Sequence, residues 1–220
     1  MKSKLLHEVI DLVDRFQSDS HHYSADIHGF KLWVADGLEE REPMDVVAWE
    51  GKDEGRSPES VINTLLVHLN RYAKTYSKSA IYDSDFSTQE EFIYLINLKA
   101  FGAMSKMELI KKNVQDKPTG MQIINRLIAH GWIGQSDSDT DGRSKIIKIT
   151  KKGKTALGQQ MKKIRQATKI VAGDLTQHEK MKLIQLLKKL DHFHNPIFLK
   201  NYDSAELLDK VKNEYLPVNN

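Results

Sequence analysis

The sequence predicts a mainly α-helical protein with a single two-stranded β-hairpin. Apolar residues recur every three or four positions over most of the 220 residues, which is the spacing of one face of a helix. Between residues 132 and 150 they alternate instead, on either side of a turn-rich stretch, as in a β-hairpin. Three pairs have the capping-box spacing that marks a helix start: Ser87 with Glu90, Ser105 with Glu108, and Thr176 with Glu179.

The N-terminal quarter is predicted to hold two helices and an acidic loop. Apolar stripes run through residues 5–16 and 23–34, each at helical spacing. The segment 38–57 is acidic and contains one proline and two glycines, so we expect a loop there. Pro58 follows a serine and suits the first position of a helix, and the apolar stripe after it predicts a helix of about 22 residues.

Composition and charge favour a globular protein with a polyanionic partner. The chain has no run of about 18 apolar residues, so we expect no membrane span and no membrane partner, with a cytoplasmic location as the default. It has no cysteine, which excludes disulfides and thiolate metal sites. Residues 1–104 hold 11 basic and 18 acidic side chains, whereas residues 105–154 hold 11 and 5, and residues 155–220 hold 11 and 7. The basic charge is therefore concentrated in the middle and the C-terminal third, which favours a polyanionic partner, with an ordinary solvated surface as the alternative.

Residues 105–131 have the format of a helix-turn-helix. A helix of about nine residues is followed by a break at residues 115–117 and by a second helix of about fourteen. The second helix has apolar residues on one side and, on the other, groups that can hydrogen-bond base edges or phosphates. The candidates for DNA contact are Lys117, Pro118, Thr119, Gln122, Asn125 and Arg126. Since polar residues are ordinary on the outside of any helix, a merely solvated face stays an alternative.

The hairpin directly after this helix has the properties of a wing. Trp132 begins one strand, an alternating apolar run ending at Ile149 forms the other, and SDSDTDGRS joins them. Such a hairpin can reach the neighbouring minor groove, which attracts arginine. We therefore expect Arg143 at the tip to enter that groove and Lys145 to meet phosphate. Asp141 would repel DNA if free, so we expect it to brace a basic neighbour.

Over residues 87–155 these motifs resemble the winged helix-turn-helix of the MarR family of bacterial transcription regulators. INRLIAHGWI resembles the end of that family's recognition helix, DGR its Asp-x-Arg wing tip, and ITKKG its apolar-Thr-x-x-Gly start of the next helix. The resemblance implies a homodimer, held by helices at 58–79, 151–172 and 177–192, that binds a pseudo-palindromic duplex. It assigns DNA contact to Thr119, Gln122, Asn125, Arg126 and Arg143. Broad apolar stripes on the flanking helices independently favour a dimer.

Four regions follow from this interpretation. Residues 1–57 form an N-terminal helical extension with the acidic loop, 58–86 a dimerisation helix, 87–150 the DNA-binding winged helix-turn-helix, and 151–220 the C-terminal dimerisation helices and tail. The predicted function is a double-stranded-DNA-binding regulator whose occupancy responds to a small-molecule effector or another protein. The alternative is a winged-helix module that binds proteins and no DNA.

The sequence gives no comparable indication of an enzyme, a metal site or a cofactor. It lacks a phosphate-binding glycine loop, a nucleophile elbow and an HExxH motif. His192 and His194 lie two apart at a predicted helix end, which favours an interaction with the helix dipole over metal binding. The aromatic residues Phe30, Trp33 and Trp49 are expected to form core or interface in preference to a ligand pocket.

Overall fold

The chain folds mainly into helices, as the apolar spacing predicted. The computed structural model describes residues 2–19, 23–39, 47–137 and 145–216. No helix in these ranges is both long and apolar enough to span a bilayer. The chain divides into two units, Met1–Asn63 and Thr64–Asn220. In order, the helices and strands are α1 Lys2–Asp19, α2 Ile27–Glu39, α3 Pro58–Ala80, α4 Gln89–Phe101, β1 Met104–Ser105, α5 Lys106–Lys112, α6 Lys117–Ala129, β2 Ile133–Asp137, β3 Lys145–Ile149, α7 Lys151–Val171, α8 Gln177–Lys200 and α9 Leu207–Tyr215.

In the first unit, aromatic side chains pack α1 against α2. The ring of Phe16 is buried and lies 5.4 Å from the centroid of Phe30 and 5.6 Å from that of Trp33. Trp49 has a different role, because its indole N–H donates a hydrogen bond of 2.8 Å to the carbonyl of Arg56 and closes the loop before α3. Phe30 and Trp33 are half-buried and pack on Phe16, while Trp49 makes its contact within its own loop.

The second unit contains the winged helix-turn-helix. Helices α4, α5 and α6 enclose a hydrophobic core with a three-stranded antiparallel sheet in the order β1-β3-β2. The predicted wing strands β2 and β3 pair with Ile133 opposite Ile149. The third strand, β1, was not predicted, because it is only two residues long and pairs through Met104 with Ile147. Fully buried core residues are Leu95, Leu109, Ile124, Leu127 and Ile147.

Two of the three predicted capping boxes are present, at Ser105 and Thr176. The third, at Ser87, is wrong. Helix α4 begins one residue later, with Thr88 as an N-cap whose side chain makes no capping hydrogen bond. The backbone N–H of Ser87 donates instead to a carboxylate oxygen of Glu91 at 2.8 Å. The side chain of Glu91 that accepts this hydrogen bond is buried in the core.

Helix α8 is longer than the sequence predicted. It continues past His192 and His194, includes Pro196, and ends at Lys200, with Asn201 as a C-cap in a left-handed conformation with φ 49°. The assignment of the two histidines to a helix end is therefore wrong, since both lie inside the helix. The helix continues although Pro196 lacks an N–H and cannot donate the usual helical hydrogen bond.

Candidate nucleic-acid interface

Helix α6 has one buried face and one exposed polar face, as its sequence predicted. Gly120, Ile123, Ile124 and Leu127 are buried against the core of the winged helix. The exposed residues are Lys117, Pro118, Thr119, Gln122 and Asn125, which are all but one of the predicted contact residues on this helix. The exception is Arg126, whose surroundings differ from those of the other five.

An aspartate that the sequence reasoning missed caps the start of α6. A carboxylate oxygen of Asp116 accepts a hydrogen bond of 2.8 Å from the backbone N–H of Thr119. The backbone N–H and the hydroxyl of Thr119 together lower the pKa of Asp116. Thr119 lies three residues after Asp116, which is the usual spacing of an N-cap residue and its backbone donor. Asp116 could therefore have been predicted from the sequence as the N-cap of α6. The cap fixes the first turn but places a negative charge beside the proposed phosphate contacts.

The turn before α6 and the first part of α6 itself pack closely against α4 and α5. A Cβ on Gly120 would lie 2.5 Å from Cγ1 and 2.9 Å from Cγ2 of Ile110, so only glycine allows α5 and α6 to approach this closely. The side-chain amide of Asn97 on α4 donates to the side-chain oxygen of Asn113 in the turn at 2.8 Å. Val114 has φ 51°, a conformation that β-branched residues rarely adopt. These contacts set where α6 begins relative to α4 and α5.

Gly120→Ala tests this packing. We expect the substitution to lower the free energy of unfolding by about 1–3 kcal/mol, because the added methyl group overpacks against Ile110. Urea denaturation measures the effect. Gly158→Ala on α7 is the matched control, since no atom lies within 4 Å of its added Cβ. The control should raise stability by about 0.5–1 kcal/mol through helix propensity. If the Gly120 variant were as stable as the wild type, the packing argument would fail.

Arg126 is directed toward α4. Its Nε donates to Oε1 of Glu91 at 2.7 Å, and the other carboxylate oxygen of Glu91 accepts from Ser87. Glu91 is completely buried, whereas the side chain of Arg126 is 41% exposed. The pair connects the last turn of α6 with the first turn of α4. The sequence reasoning missed Glu91, because a glutamate in the first turn of a helix is ordinary on the surface and nothing nearby in the chain marks this one as buried.

The wing carries an ion pair across its strands. Lys145 on β3 faces Asp137 on β2 and forms a salt bridge with it, and both side chains are exposed. Lys145 thus has an acidic partner that was not predicted. Asp141 and Arg143, the proposed brace and minor-groove arginine, lie outside the described residues, so their roles stay predictions.

The junction between the wing and α7 explains the ITKKG motif. The hydroxyl of Thr150 donates to the carbonyl of Gly131 at 2.7 Å and accepts the backbone N–H of Gly153 at 3.0 Å. Gly153 is buried, and a Cβ there would lie 2.2 Å from the carbonyl oxygen of Trp132. The motif therefore needs both residues. Thr150 caps α7, and Gly153 lets α7 pass close to the backbone that follows α6.

Metal-binding chemistry is not suggested by this geometry. Within the residues that the structure describes, no three His, Asp or Glu side chains are grouped so that they could hold an ion.

Comparison with known proteins supports the fold and the family. Residues 84–144 match the model of the MarR family. The repressor NicR of Pseudomonas putida is 30% identical to this chain over 103 residues, which are 47% of this chain and 65% of NicR. The chain thus spans somewhat less than two thirds of that relative.

Solved structures of MarR-type regulators have the same fold. BpsR from Bordetella bronchiseptica superposes with a TM-score of 0.57 at 24% identity and covers 62% of this chain and 96% of its own. A MarR mutant from E. coli in complex with operator DNA gives 0.56 at 19% identity and covers 65% and 99%. At these identities the structures establish the fold, while the matched segment and NicR show what the winged helix-turn-helix is similar to. Residues 84–144 therefore form a winged helix-turn-helix that matches the MarR family.

Proposed function

We propose that this protein is a homodimeric regulator of transcription, without enzymatic activity, that binds double-stranded DNA in a sequence-specific manner. The exposed polar face of α6 is the observation that carries the proposal. The buried apolar face of α6, the close approach of Gly120 to Ile110 and the ion pair of Arg126 with Glu91 hold the helix on the core and leave the polar face open. NicR is a transcriptional repressor, and the solved MarR complex contains operator DNA. A DNA partner would place the protein in the bacterial cytoplasm.

Each candidate residue other than Arg126 has a proposed contact or bracing role in this complex. Gln122 and Asn125 carry amides that can pair with adenine in the major groove, and both are exposed on α6. Lys117 and Lys145 would contact phosphates, while Arg143, braced by Asp141, would enter the minor groove. Pro118 and Thr119 complete the surface at the start of the helix.

Dimerisation is proposed from the exposed apolar faces of α3 and α8. Within the second unit, large apolar side chains on these helices remain accessible, and extended apolar surfaces of this kind usually mark interfaces. A second copy of the chain is the proposed occupant, with two-fold symmetry bringing the recognition helices about 34–36 Å apart. Sedimentation velocity over a range of concentrations tests this. The exposed apolar side chains proposed to form the dimer interface are Leu65, Leu66, Leu69 and Tyr72 on α3, and Ile184, Leu186, Leu187 and Leu190 on α8.

An effector site is proposed in a cleft between the end of α3 and α7. The cleft has a volume of about 670 Å³, and its lining includes the rings of Tyr76 and Tyr82, the ammonium group of Lys78, and Lys163, which forms a salt bridge of 3.4 Å with Asp83 in the same lining. Such a lining suits a small aromatic acid or phenol. DNA binding by BpsR is regulated by 6-hydroxynicotinic acid, and an organohalide-sensing regulator of the same fold was solved with 2,4-dichlorophenol.

Selection of bound fragments from random duplex DNA tests the proposed function. We expect winners with two inverted half-sites whose centres lie about ten base pairs apart, one helical turn. Their affinity should fall steeply with salt, with a slope of log affinity against log salt of about −0.9 for each phosphate neutralised. Fluorescence anisotropy at several salt concentrations measures that slope.

The result that would contradict the proposal is equally clear. If no duplex were enriched and association with DNA in dilute buffer were absent, DNA recognition would be excluded. The winged helix would then be assigned to protein binding, the alternative that the sequence left open.

A further inference from the structure

We infer that Glu91 and Arg126 form a clamp that positions the recognition helix, and that Arg126 supports DNA binding through Glu91 without reading a base. This inference rests on the proposed function and refines it. It separates the six candidate residues of α6 into those that meet DNA and one that holds the helix in place.

The geometry of the pair is that of an internal tether. Both carboxylate oxygens of Glu91 are engaged, Oε1 by the Nε of Arg126 at 2.7 Å and Oε2 by the backbone N–H of Ser87 at 2.8 Å. The glutamate is completely buried. Each charge also lies at the favourable end of its own helix, with the carboxylate in the first turn of α4 and the guanidinium in the last turn of α6.

A buried carboxylate restrains its partner strongly. Moving the last turn of α6 away from α4 would leave the charge of Glu91 without its main compensation in a low-dielectric environment. The first turn of α6 is independently restrained by the close approach of Gly120 to Ile110. The helix is thus held at both ends, as a contact surface needs if its amides are to meet base edges to within about 0.5 Å.

The same pair limits what Arg126 can do at DNA. An arginine that recognises guanine presents two parallel N–H groups to O6 and N7. Here the Nε–H is committed to Glu91, so only the two terminal Nη groups remain for another partner, and their direction is set by α4. Gln122 and Asn125 have exposed positions on the helix. We assign base recognition to these amides and the positioning of the helix to Arg126.

Three substitutions distinguish a clamp from a base contact. Glu91→Gln, Arg126→Lys and Arg126→Met are compared with the wild type on the selected duplex and on a panel in which each base pair is changed in turn. Far-UV circular dichroism monitors folding. Arg126→Lys keeps the positive charge near Glu91, so it provides a folded variant even where Arg126→Met is unstable.

We expect Glu91→Gln and Arg126→Met each to weaken binding at least about 10-fold on every duplex, with the ranking of duplexes unchanged. Combining them should weaken binding no further than the more affected single variant, because both remove one interaction. Arg126→Lys should keep the wild-type ranking and lose less affinity than Arg126→Met.

Two results would overturn the clamp while leaving DNA binding intact. One is a relaxed preference at a single base pair of each half-site in Arg126→Lys, which would make Arg126 a base-reading residue. The other is wild-type affinity in Glu91→Gln. If the wild type itself bound no duplex, the proposed function would fail, and the clamp's role in DNA binding would fail with it.

Discussion

Arg126→Met should lower the free energy of unfolding by about 3 kcal/mol, at the lower end of the range for a broken buried ion pair. The reason is the carboxylate of Glu91, which is completely buried and would keep only its hydrogen bond from Ser87. The estimate lies at the lower end because the side chain of Arg126 is 41% exposed, so water can reach part of the vacated site. Urea denaturation followed by circular dichroism measures the change.

The control for this prediction is the double substitution Glu91→Leu with Arg126→Met. Replacing both members of a buried ion pair with apolar side chains of similar volume is often neutral or stabilising. The double variant should therefore regain most of the stability that Arg126→Met loses. A double variant as unstable as the single one would show that the pair is not the cause.

Gly153→Ala should lower the free energy of unfolding by about 3 kcal/mol or more, because a backbone atom must move to make room for the added methyl group. The added Cβ would lie 2.2 Å from the carbonyl oxygen of Trp132, well inside any normal contact. The start of α7 or the segment before β2 must then shift. Either shift disturbs the hydrogen bond of 2.9 Å from the backbone N–H of Thr150 to that same carbonyl. Thermal and urea denaturation both measure this effect.

Gly158→Ala serves as the matched control here too, since it lies five residues further along the same helix in open space. It should be slightly more stable than the wild type, as expected for alanine in a helix. Equal behaviour of the two variants would mean that the helix tolerates a side chain at Gly153, against the geometry of the junction.

Local patterns in the sequence predicted much of the fold. The helical apolar spacing identified α3, α6 and α7, since each has one wide buried or apolar face. The capping boxes at Ser105 and Thr176 were readable because both partners lie within four residues of each other. Features that depend on three or four neighbouring residues were thus within reach of the sequence.

Features that depend on distant residues were not. The ion pair between Glu91 and Arg126 joins positions 35 apart, and nothing near Glu91 in the chain marks it as buried. Strand β1 exists only because β3 lies beside it. The extension of α8 past His194 and Pro196 was missed as well, although proline generally disfavours a helix interior.

The candidate site divides in the same way. Its exposed polar residues on α6 followed from helical geometry, and the structure places them on one open face. The acidic partners Asp116 and Asp137 were missed, although the first has the ordinary spacing of an N-cap. These carboxylates place negative charge beside the proposed phosphate contacts, so the net field at the site is less positive than the count of lysines suggests.

Titration of the selected duplex, and of its single-base-pair variants, with the Gln122→Ala protein tests the central claim most directly. If the exposed face of α6 reads DNA, this variant should lose about 1–3 kcal/mol of discrimination at one base pair of each half-site. Gln159→Ala, an exposed glutamine on α7, should match the wild type throughout. Discrimination by Gln122→Ala that equals the wild type at every base pair would contradict the account.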